Sequence, residues 1–286
     1  MAEQLDVAVD DGHVLRVHDS GADPEAVLTV VWHNGSPHTG ALLPPVVDPA
    51  RDRRIRVITY ARPSYGGSTP RPGRAVSSAA TDVERIVDRL GVDRFATLGA
   101  SGGGPHALAC AAVLGDRVTG VVTFAGVAPV DDEPDWFEGM AAPGGLRAAL
   151  HGREARELFA ETDEFDPSSF VPADYAELDG TWRPLGADAG EADRAGAAGL
   201  IDDDVAFTTP WGVDLGAIVS PALVVQGALD RVIPRSHGER LVGAVPTADL
   251  WLRPRDGHVS VLTALPVAFD WLLAHGDHPT AMSHSR

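Results

Sequence analysis

One stretch of the sequence decides the fold, FATLGASGGGPHALACAAVL at residues 95–114. The apolar run 95–98 is typical of a buried strand, and the alanine-rich run 105–114 is typical of a helix. Between them the pentapeptide Gly99 to Gly103 has the pattern G-x-S-x-G, which places a serine on a tight turn with a strained backbone. The helix that follows directs its N-terminal amides and positive dipole end at the same point. This context predicts that Ser101 is a nucleophile.

A serine hydroxyl is a weak nucleophile at neutral pH, so it needs a base and a third group that orients the base. Of the 11 histidines, His258 alone follows a late strand pattern, in the turn Asp256-Gly257-His258. Asp230 closely follows the apolar run 222–226. The chain order Ser, Asp, His is the one that this strand-turn-helix context requires. We therefore expect His258 to be the general base and Asp230 to orient it, although singly they also fit a loop histidine and a turn-capping aspartate.

A second turn is expected to help stabilise an oxyanion. The apolar run 27–32 leads into HNGSP at residues 33–37. The first oxyanion donor would be the backbone N–H of Gly102, and the second would be that of Ser36, with Gly35 as the alternative. His33 lies at the wrong place along the chain for a base, and we expect it to support the loop by hydrogen bonding.

The fold class follows from the alternation of short β-rich runs with helical patterns. This pattern predicts an α/β fold, a mostly parallel sheet of eight strands with helices on both faces. The strands are expected at residues 7–8, 14–18, 27–32, 55–59, 95–98, 118–124, 222–226 and 249–252. The helices are expected at residues 77–90, 105–114, 235–245 and 262–275.

Residues 131–213 break the alternation, and we expect an insertion packed over the end of the sheet. Residues 131–210 contain 20 acidic residues and 5 arginines, a net −15, which we interpret as a solvated face. Weak helical stretches occur near residues 146–159 and 191–201. The aromatic side chains of this segment are candidates for an apolar substrate pocket or for the insertion's own core: Trp136, Phe137, Phe159, Tyr175 and Trp182.

Composition excludes several classes of function. All 23 basic residues are arginine, and the absence of lysine excludes Schiff-base chemistry and a Walker-type phosphate site. A net charge of −18 argues against nucleic acid as a partner. No apolar run is long enough to span a membrane and the first residues do not resemble a signal peptide, so we expect a cytoplasmic protein that does not bind membranes.

The remaining composition points to one catalytic domain without a cofactor. A chain of 286 residues that is 44% hydrophobic can bury one large core. The single cysteine, Cys110, fits a small buried thiol. We find no cluster of His, Cys, Asp or Glu at metal-ligand spacing, so neither a metal nor an organic cofactor is expected. The expected partner is a small-molecule substrate, and nothing in the sequence specifies an oligomeric state.

These features together resemble the α/β-hydrolase superfamily, in its serine-nucleophile branch: the HNGSP turn, RPSYGGS at residues 62–68, the G-x-S-x-G turn, Asp230 and the Asp-Gly-His turn. The resemblance implies a hydrolase core at residues 1–130 and 214–286, with a helical cap, or lid, at residues 131–213. The sequence departs from the family at Asn34, which splits the usual His-Gly pair, and in the turn after the fourth strand, which lacks its usual Asp.

The resemblance and the serine together define the expected reaction. A serine at position 101 argues against epoxide opening and halide displacement, because an alkyl ether on the enzyme would not be hydrolysed as an ester is. We expect a carboxylesterase-like enzyme that cleaves an ester or related acyl bond of a small, mostly neutral molecule through an acyl-enzyme. The alternatives are an aminopeptidase or amidase resembling proline iminopeptidases, a biosynthetic acyltransferase or cyclase, and a non-catalytic ligand-binding protein on the same scaffold.

Overall fold

A computed structural model describes residues 3–9, 12–130 and 135–275 of the chain. Each predicted strand overlaps a strand of the structure. The eight strands are β1 Glu3–Ala8, β2 Val14–Asp19, β3 Leu28–His33, β4 Ile55–Tyr60, β5 Phe95–Ala100, β6 Val118–Phe124, β7 Ala222–Gly227 and β8 Ala248–Arg253.

The strands form one sheet in the order β1-β2-β4-β3-β5-β6-β7-β8. Strand β2 is antiparallel to both of its neighbours, and all the pairs from β4 to β8 are parallel. Strands β5, β6 and β7 are buried along their whole length, which agrees with their continuous apolar sequences because helices cover both faces. The carboxyl ends of the parallel strands therefore meet at one edge of the sheet.

The described residues contain ten α-helices. They are α1 Pro44–Arg51, α2 Ser78–Arg89, α3 Gly103–Leu114, α4 Gly144–Ala149, α5 Arg153–Ala160, α6 Pro172–Asp179, α7 Arg183–Arg194, α8 Ala198–Phe207, α9 Arg235–Ala244 and α10 Leu265–His275. None of them combines the length and apolar character that a bilayer span requires.

Two apolar clusters, one on each face of the sheet, form the core. Helices α2 and α3 supply Val83, Ile86 and Leu108 to the first cluster. Helices α1 and α10 supply Val46 and Phe269 to the second. The buried positions of α2 follow the 3.6-residue period of an amphipathic helix, which is why the sequence predicted this helix closely.

Helices α4 to α8 lie between β6 and β7, and we call residues 144–207 the inserted helices. The two weak stretches predicted here each prove to be divided between two helices, at Gly152 and Gly196, whose φ angles of +93° and +117° leave the helical region. Helices α1 and α6 were not predicted from the sequence. Both begin with a proline, whose fixed φ suits the first turn of a helix. Residues 131–134, where the predicted insertion begins, lie outside the described part of the chain.

In the turn between β5 and α3, close backbone contact and helix propensity predict opposite effects of replacing Gly103 by alanine. A Cβ at Gly103 would lie 2.0 Å from the carbonyl oxygen of His33. We expect Gly103→Ala to lower the free energy of unfolding by about 1–3 kcal/mol through overpacking, although alanine favours helices. Gly243→Ala is the control, because a Cβ at this helical position meets nothing within 4 Å. That change should stabilise the protein by about 0.5–1 kcal/mol in urea unfolding. Equal effects from the two substitutions would contradict the packing argument.

Candidate active site

The turn after β5 carries Ser101 in a left-handed backbone conformation, with a φ of +52°. Such a conformation is strained for a residue with a side chain, and it persists where the surroundings enforce it. Here the Ser101 N–H donates to the carbonyl of Phe124 at 2.8 Å, and the Gly104 N–H donates to the carbonyl of Ser101 at 2.9 Å. The turn thus holds the serine at the junction of strand and helix, where it lines a large cavity.

His258 and Asp230, two of the candidate site residues, are in direct contact. The His258 Nδ1–H donates to Oδ2 of Asp230 at 2.8 Å. The other Asp230 oxygen accepts the backbone N–H groups of Val232 and Ile233, both at 2.9 Å, so Asp230 is also a turn aspartate. Because the carboxylate engages Nδ1, this contact fixes the tautomer of a neutral His258 and leaves Nε2 to accept a proton.

The environment of His258 favours its charged form. Burial alone lowers the pKa of the imidazole, but the Asp230 carboxylate, its hydrogen bond and the nearby charge of Asp174 outweigh burial and raise the pKa above 6.5. The ring therefore holds a proton more readily than an ordinary histidine. This is a suitable property for a group that must take a proton from an alcohol.

Ser101 and His258 line the same cavity, whose volume is about 650 Å³. Within the described residues the Ser101 hydroxyl makes no hydrogen bond to the His258 ring. Catalytic hydrogen bonds are often long or poorly aligned in unliganded structures and tighten when substrate binds. The structure thus brings the three predicted residues to one edge of the sheet, with the Asp–His contact formed.

The predicted oxyanion residues lie beside Ser101. A Cβ at Gly35 would lie 3.4 Å from Cβ of Ser101, and one at Gly102 would lie 2.4 Å from Oγ of Ser36. The HNGSP turn and the N-terminal end of α3 are therefore in contact. A Cβ at Gly102 would force Ser36 to shift, whereas one at Gly35 would make ordinary van der Waals contacts. Gly35 and Ser36 also line the cavity.

A buried ion-pair network holds the HNGSP turn in place. Arg62 donates to the carbonyl oxygens of Asn34 at 2.6 Å and Gly35 at 3.1 Å. It also donates to Oδ2 of Asp203 at 2.6 Å, and the Ser36 hydroxyl donates to the same carboxylate at 2.5 Å. Asp203 belongs to α8, so one of the inserted helices fixes the turn through a carboxylate with no exposed surface.

The interpretation of the insertion's acidity as a solvated face was wrong for its central residues. Asp202, Asp203 and Asp204 are all buried. They pair with Arg153, with Arg62 and Arg74, and with Arg156 respectively. Burial opposes ionisation of Asp203, but the two guanidinium groups beside it hold its pKa well below the usual range. Burial raises the pKa of Asp204 to about 6 in spite of Arg156. These three carboxylates therefore form buried ion pairs and do not face solvent.

The five aromatic residues were candidates for the pocket or for the insertion's own core, and four of them do not line the cavity. Trp182 lines the cavity, whereas Trp136, Phe137, Phe159 and Tyr175 are not among the residues that line it. Trp136 is buried against His237 and donates to the carbonyls of Ala128 and Pro129. Phe159 packs under the guanidinium of Arg156. Residue type alone does not show which way a side chain points in the folded protein, so the sequence could not separate the two alternatives.

The expectation that His33 supports the loop by hydrogen bonding was only partly correct. In the described part of the chain its buried Nδ1 has no hydrogen-bond partner, and Nε2 lies 3.8 Å from Sγ of Cys110. His33 instead packs against the rings of Tyr60 and His106. Burial and the charge of Arg62 lower the pKa of His33 to about 3, so the ring is neutral. Its role is packing behind the nucleophile turn.

Sequence reasoning missed several residues of the site. Phe165 and Phe170 line the cavity, and Phe170 stacks on His258 with ring centroids 6.5 Å apart. Asp203, Arg62 and Arg74 were also missed, because the partners lie 129 and 141 residues apart along the chain. The RPSYGGS turn was a signal that could have identified Arg62. No comparable signal marked Asp203 among the many acids around it.

The lining of the cavity contains apolar side chains and, from the inserted helices and their loops, acidic ones. Its apolar side chains include Trp32, Leu43, Trp182, Leu185, Val259 and Leu262. Four acidic side chains also line it, namely Asp163, Glu164, Asp166 and Asp193, together with Arg156. Within the described ranges no three His, Cys, Asp or Glu side chains are grouped so that they could hold a metal ion.

Comparisons with known proteins identify the family and the fold. A family model described as alpha/beta hydrolase fold matches residues 29–265. The 2-hydroxy-6-oxononadienedioate/2-hydroxy-6-oxononatrienedioate hydrolase of Cupriavidus pinatubonensis is 30% identical over 265 residues, which cover 88% of each chain. A bromoperoxidase from Bacillus anthracis has a TM-score of 0.74 at 23% identity, covering 95% of this chain and 99% of that one. An esterase from Thermogutta terrifontis has a TM-score of 0.68 at 20% identity, covering 96% and 99%. The two structures share the fold.

The Asp203 network predicts a large stability effect. We expect Asp203→Asn to lower the free energy of unfolding by about 3–5 kcal/mol at neutral pH, because it leaves Arg62 and Arg74 buried without their counter-charge. Since the folded pKa of Asp203 is depressed, its contribution is present above the ordinary pKa of 3.8 and is lost as the pH falls toward the lowered value. Urea unfolding at several pH values should show that the difference in the free energy of unfolding between Asp203→Asn and wild type becomes smaller as the pH falls.

The exposed carboxylate of Asp249 provides the control for this measurement. Asp249→Asn should change the free energy of unfolding by no more than about 0.5 kcal/mol. An Asp203→Asn protein as stable as the control would show that the network does not hold the fold.

Proposed function

The chain belongs to the α/β-hydrolase family, and from this membership we propose that it is a serine hydrolase that cleaves an ester or related acyl bond of a small, mostly neutral molecule. The observation that carries the proposal is the 2.8 Å contact between His258 Nδ1 and Asp230, formed at the wall of a cavity that Ser101 also lines. Nucleophile, base and orienting acid are thereby assigned to Ser101, His258 and Asp230.

In the first half of the proposed reaction, Ser101 Oγ attacks the substrate carbonyl carbon while Nε2 of His258 takes the hydroxyl proton. The carbonyl oxygen becomes an oxyanion beside the backbone amides of Gly102 and of the turn at Gly35 and Ser36. The tetrahedral intermediate then expels the leaving group, which receives the proton from His258. This step leaves an acyl group on Ser101.

In the second half, a water molecule attacks the acyl-enzyme as His258 removes one of its protons. Collapse of the second tetrahedral intermediate releases the acid, and the proton returns from His258 to Ser101. Throughout the cycle Asp230 stays ionised. It holds the ring in the tautomer that accepts protons at Nε2, and it stabilises the imidazolium that forms twice.

The cavity supports the substrate class. A volume of about 650 Å³ with largely apolar walls suits a small organic molecule. The four carboxylates in the lining disfavour anionic substrates. We further propose that the inserted helices act as a cap, because they supply both these acids and Trp182 to the lining.

A second candidate reaction is hydrolysis of an amide whose substrate carries an amino group. The observation that favours it is the set of carboxylates in the lining, which would attract a cation. The catalytic steps would be the same, with an amine as the leaving group. Comparing p-nitrophenyl esters, lactones and aminoacyl amides as substrates separates the two candidates, and product analysis with added alcohols detects acyl transfer.

The nucleophile assignment predicts the effect of Ser101→Ala. We expect kcat/KM for the best ester of the panel to fall by about 10³-fold or more, with an unchanged melting temperature. A fluorophosphonate should label wild type and fail to label this variant. The control is Ser78→Ala, which removes a hydroxyl that hydrogen-bonds within the turn before α2 and leaves the cavity untouched. Undiminished hydrolysis by Ser101→Ala would remove Ser101 from the mechanism, and tight ligand binding by an unlabelled wild type would indicate a binding protein.

The raised pKa of His258 predicts the pH dependence. The base must be neutral to accept a proton, so kcat/KM should decrease as the pH falls through the pKa of the free enzyme. Because that pKa lies above 6.5, the acid limb should also lie above 6.5. Initial rates across a pH series test this expectation. A limb below 6.5, or a profile that is flat across the ordinary titration range of histidine, would contradict it.

A further inference from the structure

The loop that carries His258 is held by a carboxylate from the inserted helices. Asp174, in α6, has no exposed surface. Its Oδ1 accepts the N–H groups of Val259 at 2.8 Å and Ser260 at 2.7 Å, and also the Ser260 hydroxyl at 2.8 Å. Its Oδ2 accepts the N–H of His258 at 3.2 Å. One side chain thus satisfies four donors of a loop more than 80 residues away in the chain.

Asp174 is itself oriented by its own helix. Oδ2 accepts the N–H of Val171 at 3.1 Å, a contact typical of the third residue of a helix. On the other side, the loop accommodates Asp174 through Gly257, where a Cβ would lie 2.2 Å from Oδ2 of Asp174 and 2.6 Å from Val171. The Ser260 hydroxyl, which donates to Asp174, accepts the N–H of Gly257. Helix α6 and the loop therefore fit together without room for a larger residue.

The same part of the inserted segment also contacts the ring of His258. Phe170, four residues before Asp174, stacks on the imidazole with an interplanar angle of 11°. Three contacts from different elements therefore define the position of His258. Asp230, after β7, holds Nδ1 of the ring; Phe170 lies against the face of the ring; Asp174 holds the backbone.

We propose that Asp174 is a positioning residue for the base, through which docking of α6 on the core sets the orientation of His258. This inference rests on the proposed function, because it assigns Asp174 a role in the same reaction. It gives the inserted helices a part in the chemistry besides enclosing the substrate. When Asp174 leaves the loop, four donors lose their acceptor and the His258 backbone is free to move relative to Ser101. A displacement of the order of 1 Å in a catalytic group can reduce the rate by about 100-fold.

The charges around His258 make the pH profile a second readout. Asp230 and Asp174 face the imidazole from two elements, and within the loop Asp256 is paired with Arg253 at 2.6 Å. Removing the charge of Asp174 takes away one of the groups that favour the imidazolium. The acid limb of kcat/KM in Asp174→Asn should therefore move to lower pH.

The experiment compares Asp174→Asn with Asp179→Asn. Both changes remove one carboxylate from α6, but Asp179 is exposed. With p-nitrophenyl acetate, we expect Asp174→Asn to lower kcat by about 10- to 100-fold with KM changed less than about twofold, and to shift the acid limb downward. Asp179→Asn should match wild type in both respects. Ser260→Ala is a milder variant, which removes one donor to Asp174 and should lower kcat by a smaller factor. It replaces Asp174→Asn in the test if that variant does not fold.

The possible results separate this inference from the proposed function. Wild-type labelling by a fluorophosphonate and inactive Ser101→Ala establish the serine mechanism independently of Asp174. If these hold while folded Asp174→Asn keeps the kcat and acid limb of wild type, Asp174 has only a structural role and the inference is wrong. If Asp174→Asn does not fold, an unchanged kcat in Ser260→Ala overturns the inference; its acid limb should stay where it is in wild type, because the charge of Asp174 is kept. If wild type is not labelled and Ser101→Ala retains its rate, the proposed function itself fails.

Discussion

The whole site depends on the geometry of parallel strands, whose carboxyl ends meet at one edge of the sheet. Strand β3 ends at the HNGSP turn, β5 ends before Ser101, β7 before Asp230 and β8 before His258. The sheet therefore brings residues from four distant parts of the sequence to the same edge. The strained φ of Ser101 is tolerated here because a fully buried strand and the first turn of α3 fix the backbone on both sides.

Buried aspartates connect the inserted helices to this edge. Asp203 reaches the turn at Ser36 with Arg62, and Asp174 reaches the loop of His258. A buried carboxylate is costly unless it is paired or hydrogen-bonded, and both meet this requirement fully with groups of the core. Removing either partner leaves buried polar groups without a hydrogen-bond partner, so these contacts restrict the position of the inserted helices on the core. The acidity of the segment therefore has two physical roles: structural pairing where it is buried, and a negative lining where it faces the cavity.

How well each feature was predicted depended on how far apart in the chain the residues that determine it lie. Strands β3 to β8 and helix α2 were predicted closely because hydrophobic periodicity is a local signal. The Asp230–His258 contact was predicted because the strand order supplies the missing spatial information. The sequence left two alternatives for the aromatic residues, pocket or core, because the packing of Trp136 and Phe137 is defined by neighbouring elements. The proline-initiated helices α1 and α6 were missed because proline is favoured both in turns and in the first turn of a helix.

The sequence by itself determined the α/β sheet, its two apolar faces and the residues that end the strands, because each is encoded over a few neighbouring positions. It also determined that the segment between β6 and β7 differs from the rest in charge. Only the tertiary structure decided which of those acids are buried. It also decided that Asp203 contacts the HNGSP turn and that Asp174 contacts the loop of His258. The physical reason is that an ion pair or a hydrogen bond between residues 84 or 141 positions apart depends on distance and desolvation in three dimensions, which no local pattern of residue types records.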